Sequence, residues 1–166
     1  MHLIIAAAAA VVAALIEFTV VPYLKIGDAT LHATLVIGVI WVIAGGLEAG
    51  LVWAFVGGLA LDILGPRPLG SSAFALLIAI AIASLIGGAL SRVRILAPVV
   101  ATAVASPVYS MLLIVATTVL TAASFSQAGL GTVLPSAIYD TMLAAVIGPL
   151  AIAVVAKRQA QERVDW

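Results

Sequence analysis

Residues 58–73 read GLALDILGPRPLGSSA. An apolar stretch reaches Asp62, adds two more apolar residues, turns through Gly65-Pro66-Arg67-Pro68-Leu69-Gly70 and restarts at two serines. Proline restricts the backbone and glycine permits tight bends, so this segment reads as a corner between two helices. On both sides of it the chain stays apolar without alternating. Continuous apolar runs argue for helices rather than a lipid-exposed barrel.

Composition agrees. Of 166 residues, 65% are hydrophobic and 8% charged, with a mean hydropathy of +1.33. A chain of this length could not hide so much apolar surface in one water-soluble core. The expected class is an all-α integral membrane protein. Seven basic and seven acidic residues cancel, which leaves no nucleic-acid footprint. There is no cysteine, hence no disulfide framework, thiolate metal site or cysteine nucleophile.

About six transmembrane helices are expected. The first covers 3–21, and the second and third share 32–64, divided by Gly45-Gly46-Leu47-Glu48. The fourth, fifth and sixth cover 71–90, 95–122 and 133–156. A span needs roughly 20 residues, so the second helix is short, and a re-entrant hairpin over 32–64 is the competing reading. Residues 1–156 form one transmembrane domain and 157–166 a short cytoplasmic tail. Arg92, Arg94, Lys157, Arg158 and Arg163 fall on one face, against Lys25 and Arg67 on the other. By the positive-inside rule both termini are cytoplasmic. The first helix lacks a basic leading region and is too long for a cleaved signal peptide.

Groups for chemistry are sparse. His2 and His32 have no metal-ligand spacing, and no phosphate-cradling glycine loop follows a strand. A non-enzymatic protein without cofactor or metal is expected. The small residues carry more information. Gly46, Gly50, Ala54, Gly58 and Asp62 recur every four positions, which places them on one inclined ridge of a helix. Such a ridge admits a neighbouring backbone at close range. Gly46, Gly50, Ala54 and Gly58 thus form a candidate groove for a partner helix, with a helix of the same chain as the alternative occupant. Ala6, Ala10 and Ala14 make a second, weaker stripe.

Asp62 needs an offset. A carboxylate in the last turn of a helix meets the negative end of the dipole and costs up to about 3 kcal/mol at the membrane centre. Arg67 and the start of the next helix at Ser71 and Ser72 could supply it. Asp62 is therefore expected to staple the third helix to the fourth, with a transport or proton site as the alternative. Glu48 reads as a solvated turn charge. Asp140, inside the sixth helix, should hydrogen-bond to Tyr109 or to a Ser or Thr, and Pro149 could kink that helix.

The run AFVGGLALDILGPRPLG, residues 54–70, resembles the signature of the MreD family of rod shape-determining proteins. In that family a glycine-rich third helix ends in Leu-Asp and is followed by a short loop ending in Leu-Gly. Gly57, Gly58, Asp62, Leu69 and Gly70 hold the motif positions. Glu17 near the end of the first helix, Gly45 to Gly50 before the third and the short basic tail extend the match. Ala29-Thr30-Leu31-His32 departs from the family's usual Pro followed by Asp or Asn, so no role is carried onto His32. The resemblance implies a fold like the substrate-binding subunits of energy-coupling-factor transporters. It also implies a subunit of the bacterial elongation machinery in the cytoplasmic membrane. Its direct partner would be the membrane helix of MreC, with MreB, RodA and penicillin-binding protein 2 in the wider complex and membrane lipid around it. The alternative is a vitamin-binding subunit of such a transporter, against which stand outer connections holding little beyond Lys25, Asp28, Arg67 and Gln127.

Overall fold

The computed structural model of the chain describes residues 2–24, 29–121 and 127–162. Among them are six α-helices and no strand element: α1 (His2–Thr19), α2 (Ala33–Gly45), α3 (Leu47–Leu64), α4 (Ser71–Ala89), α5 (Ala97–Thr121) and α6 (Gln127–Glu162). Short 3-10 turns occupy Val21–Leu24 and Ser91–Val93. Four helices, α3 to α6, are long and apolar enough to cross a membrane, while α1 and α2 are apolar but shorter. Lys25, Asp28 and Arg163 lie outside the described residues.

The shortest helix is the axis of the bundle. α2 has 13 residues, about 20 Å against roughly 30 Å of hydrocarbon, yet it packs against each of the other five helices. Its apolar side chains point in every direction, as a surrounded helix requires. Leu35, Val36 and Val39 are fully buried on it. Because protein rather than lipid covers this helix, bilayer thickness does not set its length.

Glycines shape the joints. Gly46 has φ 90° and donates its N–H to the Val42 carbonyl at 3.0 Å, which ends α2 in a conformation that favours glycine. Gly70, at φ 91°, immediately precedes α4. At the same end of α2 as Gly46, Arg94 donates to the Ile43 carbonyl at 3.3 Å, placing a cation against the last turn.

The predicted partner groove is internal, and this corrects the sequence expectation. Gly50, Ala54 and Gly58 are buried, whereas Gly46 lies between α2 and α3, where an added Cβ would meet nothing within 4 Å. A Cβ on Gly50 would stand 2.6 Å from Val42 Cβ and 3.2 Å from Ile80 Cγ2. One on Gly58 would collide with the backbone of Ala73. Helices α2 and α4 of the same chain therefore fill the ridge. Spacing shows where a helix lacks bulk, but not which neighbour takes the space. The alanine stripe is internal as well: Ala6, Ala10 and Ala14 are fully buried, and α1 packs on α3. What faces outward is bulky and apolar, including Ile4, Leu85, Leu134, Ile138 and Met142, a surface suited to lipid.

Candidate functional site

Two helices begin inside protein with no cap of their own. Neither His32 before α2 nor Gly70 before α4 gives a side-chain cap hydrogen bond. The first N–H groups of a helix have no intrahelical partner, and burial makes leaving them unpaired costly. Carboxylates from other helices supply the acceptors. At α4, Asp62 Oδ2 accepts from Gly70 N at 2.8 Å, and Oδ1 accepts from Ser72 N at 3.0 Å and Ser71 Oγ at 3.2 Å. At α2, Asp140 Oδ1 accepts from His32 N at 2.8 Å, and Glu17 Oε2 accepts from Thr34 N at 2.7 Å. Each carboxyl group thus sits at the positive end of a helix dipole.

Asp140 does more than cap. Its Oδ2 accepts from Ser106 Oγ and lies 2.8 Å from His32 Nδ1. A carboxylate offers only lone pairs here, so Nδ1 carries the proton and donates. The carboxylate lies between the hydroxyl and the imidazole, whereas base-activated serine chemistry needs the imidazole in the middle. Ser106 therefore donates a hydrogen bond to a carboxyl group that it helps hold in place, with no imidazole against its hydroxyl to act as a base.

The other expected residues fall as follows. Asp62, Ser71 and Ser72 meet at the α3–α4 corner, but Arg67 forms no ion pair with Asp62 and donates instead to Ser72 Oγ at 3.3 Å. Gly57 faces Thr34 and Ala10, at 3.0 and 3.4 Å from an added Cβ. Leu69 is exposed. Asp140 meets Ser106 and His32, not Tyr109. The Tyr109 ring is fully buried and lies edge-on to His32, 5.1 Å between centroids. Its hydroxyl lies near Arg67 and Ser72 without a hydrogen bond of good geometry to either. Glu48 is exposed in the first turn of α3. α6 runs unbroken through Pro135 and Pro149. Trp53, which carried no expectation, donates its Nε1–H to the Thr34 carbonyl at 3.0 Å and stacks on Trp41.

Between the capped ends of α2 and α4 lies a cavity of about 290 Å³. Glu17, Thr30, His32 and Arg67 form its polar lining, and Phe18, Val21, Leu61 and Pro66 contribute apolar wall. Glu17, His32 and Arg67 lie within electrostatic reach of one another. His32 with Asp140 is nevertheless the only ion pair among the described residues. Among those residues no three His, Asp or Glu side chains cluster as a metal site.

Glu17 and His32 are the functional residues that sequence reasoning left without a role. One signal existed: a lone polar residue near the end of an apolar helix, and another just before the next helix, mark sites that need partners. Comparison of the chain with protein-family models, with curated proteins and with solved structures finds no match.

Proposed function

We propose that the chain is a non-enzymatic membrane subunit of the bacterial elongation machinery, with MreC as its direct partner. The observation that carries this reading is the α3–corner–α4 unit, where Gly57, Gly58, Asp62 and Gly70, four of the five residues shared with the MreD signature, each meet a steric or electrostatic need. Gly57 lets α3 approach α1, and Gly58 lets it touch the α4 backbone. Asp62 holds the start of α4, and Gly70 takes the left-handed turn before it. Leu69, exposed at the corner, is the motif residue without such a role. A signature that builds a rigid helical unit rather than aligning reacting groups suits a scaffold. With the glycine ridge filled internally, MreC would approach the lipid-facing surface, for example around Leu85 or Ile138.

The test is co-purification. A tagged chain expressed with MreC should retain it through detergent extraction, and photo-crosslinkers at Leu85 or Ile138 should capture it while one at Ala54 does not. Absence of MreC from both experiments would overturn the proposal. A second reading, a small-ligand-binding subunit of the energy-coupling-factor type, is favoured by one observation, the cavity bounded by Glu17, His32 and Arg67.

A further inference from the structure

The cavity beside the start of α2 presents both signs of charge without letting them cancel. Glu17 and Arg67 both line it, yet they form no ion pair. Each is held elsewhere. Glu17 is anchored by Thr34 N at 2.7 Å. Arg67 leans on Ser72 Oγ at 3.3 Å, from a backbone stiffened by Pro66 and Pro68. A guanidinium carries five N–H donors, and a single hydroxyl contact leaves most of them unused. His32 adds a third group. Its Nδ1 lies 2.8 Å from Asp140 Oδ2, and the ring adds a polar edge to the lining.

These features restrict what can bind. A simple anion drawn to Arg67 would be repelled by Glu17, and a simple cation drawn to Glu17 by Arg67. A neutral ligand would leave both charges unsatisfied in a partly dry site. A ligand carrying both charges satisfies both. Because the protein holds the two groups apart in advance, little ordering remains to oppose binding. We infer that this cavity binds a short zwitterion, its primary ammonium received by Glu17 and its anionic group by Arg67. Phosphoethanolamine has this chemistry, whether as a free solute or as a lipid headgroup. A volume of about 290 Å³ sits at the lower end of ligand sites, roughly 300–1,000 Å³, and suits a headgroup-sized molecule. The lipid source has one further support: Phe18, in the lining, is 49% exposed and offers an apolar rim for an acyl chain. The inference does not rest on MreC binding, whose failure would leave it intact.

The experiment uses the full chain purified in detergent. Calorimetric titration with phosphoethanolamine should give saturable binding. Phosphocholine, whose quaternary nitrogen cannot donate, and glycerol 3-phosphate, which has no ammonium, should each bind at least about ten-fold more weakly. In parallel, native mass spectrometry after extraction from vesicles of equimolar phosphatidylethanolamine, phosphatidylcholine and phosphatidylglycerol should show phosphatidylethanolamine retained preferentially. Binding of the free compound points to a solute, and selective retention of the lipid alone points to the membrane. Arg67→Met and Glu17→Gln should each weaken binding ten-fold or more. The glutamine keeps an acceptor for Thr34 N, so the cap of α2 survives. No binding in either format, no discrimination among the ligands, or binding untouched by both variants would overturn the assignment. Should the variants not fold, the selectivity of the wild-type chain decides alone.

Discussion

Replacing Gly58 by alanine adds one methyl group at the closest approach of two helices. The new Cβ would lie 2.6 Å from Ala73 N and 2.9 Å from the Ser72 carbonyl carbon, and closer still to Ala73 Cα. All three are backbone atoms, so no rotamer change relieves the clash. Carbon contacts settle near 3.5–4 Å, and the start of α4 would have to retreat by about 1 Å. The same movement stretches the bonds from Gly70 N and Ser72 N to Asp62, now 2.8 and 3.0 Å, past the useful limit. Overpacking costs about 1–3 kcal/mol, and each weakened bond to a charged acceptor about 1.5–3 kcal/mol when fully lost. The better helix propensity of alanine returns about 1 kcal/mol. A net loss of about 3 kcal/mol, at roughly 2–4 °C per kcal/mol for a chain of this size, lowers the melting temperature by about 10 °C. Gly88 is the control, since a Cβ there meets nothing within 4 Å. Gly88→Ala should melt at or above wild type. If Gly58→Ala melts as high as Gly88→Ala in the same detergent, the internal packing of the ridge is wrong.

Asp62→Ala should lower detergent thermostability by about 3 kcal/mol by stranding the first donors of α4, and Arg67→Ala should do so less, because Arg67 bonds only Ser72 Oγ; equal losses would contradict the geometry. Asp140→Ala removes the acceptor for His32 N, His32 Nδ1 and Ser106 Oγ together, so its cost of about 3–5 kcal/mol should exceed that of Ser106→Ala in a denaturant titration. Trp53→Phe should cost about 1 kcal/mol for the lost bond to Thr34 and, with Trp41 no longer stacked on a second indole, change the near-ultraviolet dichroism. For topology, cysteines at Asp28 and Gln127 should react with an impermeant thiol reagent in intact cells and one at Gln161 should not; labelling at Gln161 alone would invert the proposed orientation.

The corner between α3 and α4 was legible because its determinants are local. Proline, glycine and paired serines sit within ten residues of Asp62, so the acceptor and its donors can be read from one short stretch. The break between α2 and α3 was legible for the same reason, since Gly46 marks it. The α2 cap was not. Glu17 reaches Thr34 across 17 positions and Asp140 reaches His32 across 108, and nothing in hydropathy announces pairs at such separations. The ridge failed differently. The four-residue spacing correctly located a strip without bulk, but the choice between a partner helix and α4 depends on tertiary packing that a one-helix pattern does not contain. Arg67 shows a third kind of gap: proximity in sequence suggested Asp62 as its partner, whereas the corner turns it towards the cavity.

The central position of α2 has a consequence for biogenesis. Its apolar stretch is too short to be held firmly across a bilayer on its own, and its leading N–H groups wait on two acceptors, one made before α2 and one long after it. Glu17 emerges before α2 does. Asp140 follows His32 by 108 positions, so the axis of the bundle stays half-finished until α6 has been delivered. Insertion is then front-to-back while consolidation runs from the outside in. A chain stopped before residue 140 would expose an uncapped, poorly anchored α2, a natural target for membrane quality control, whereas a chain that reaches its sixth helix locks that segment in one late step.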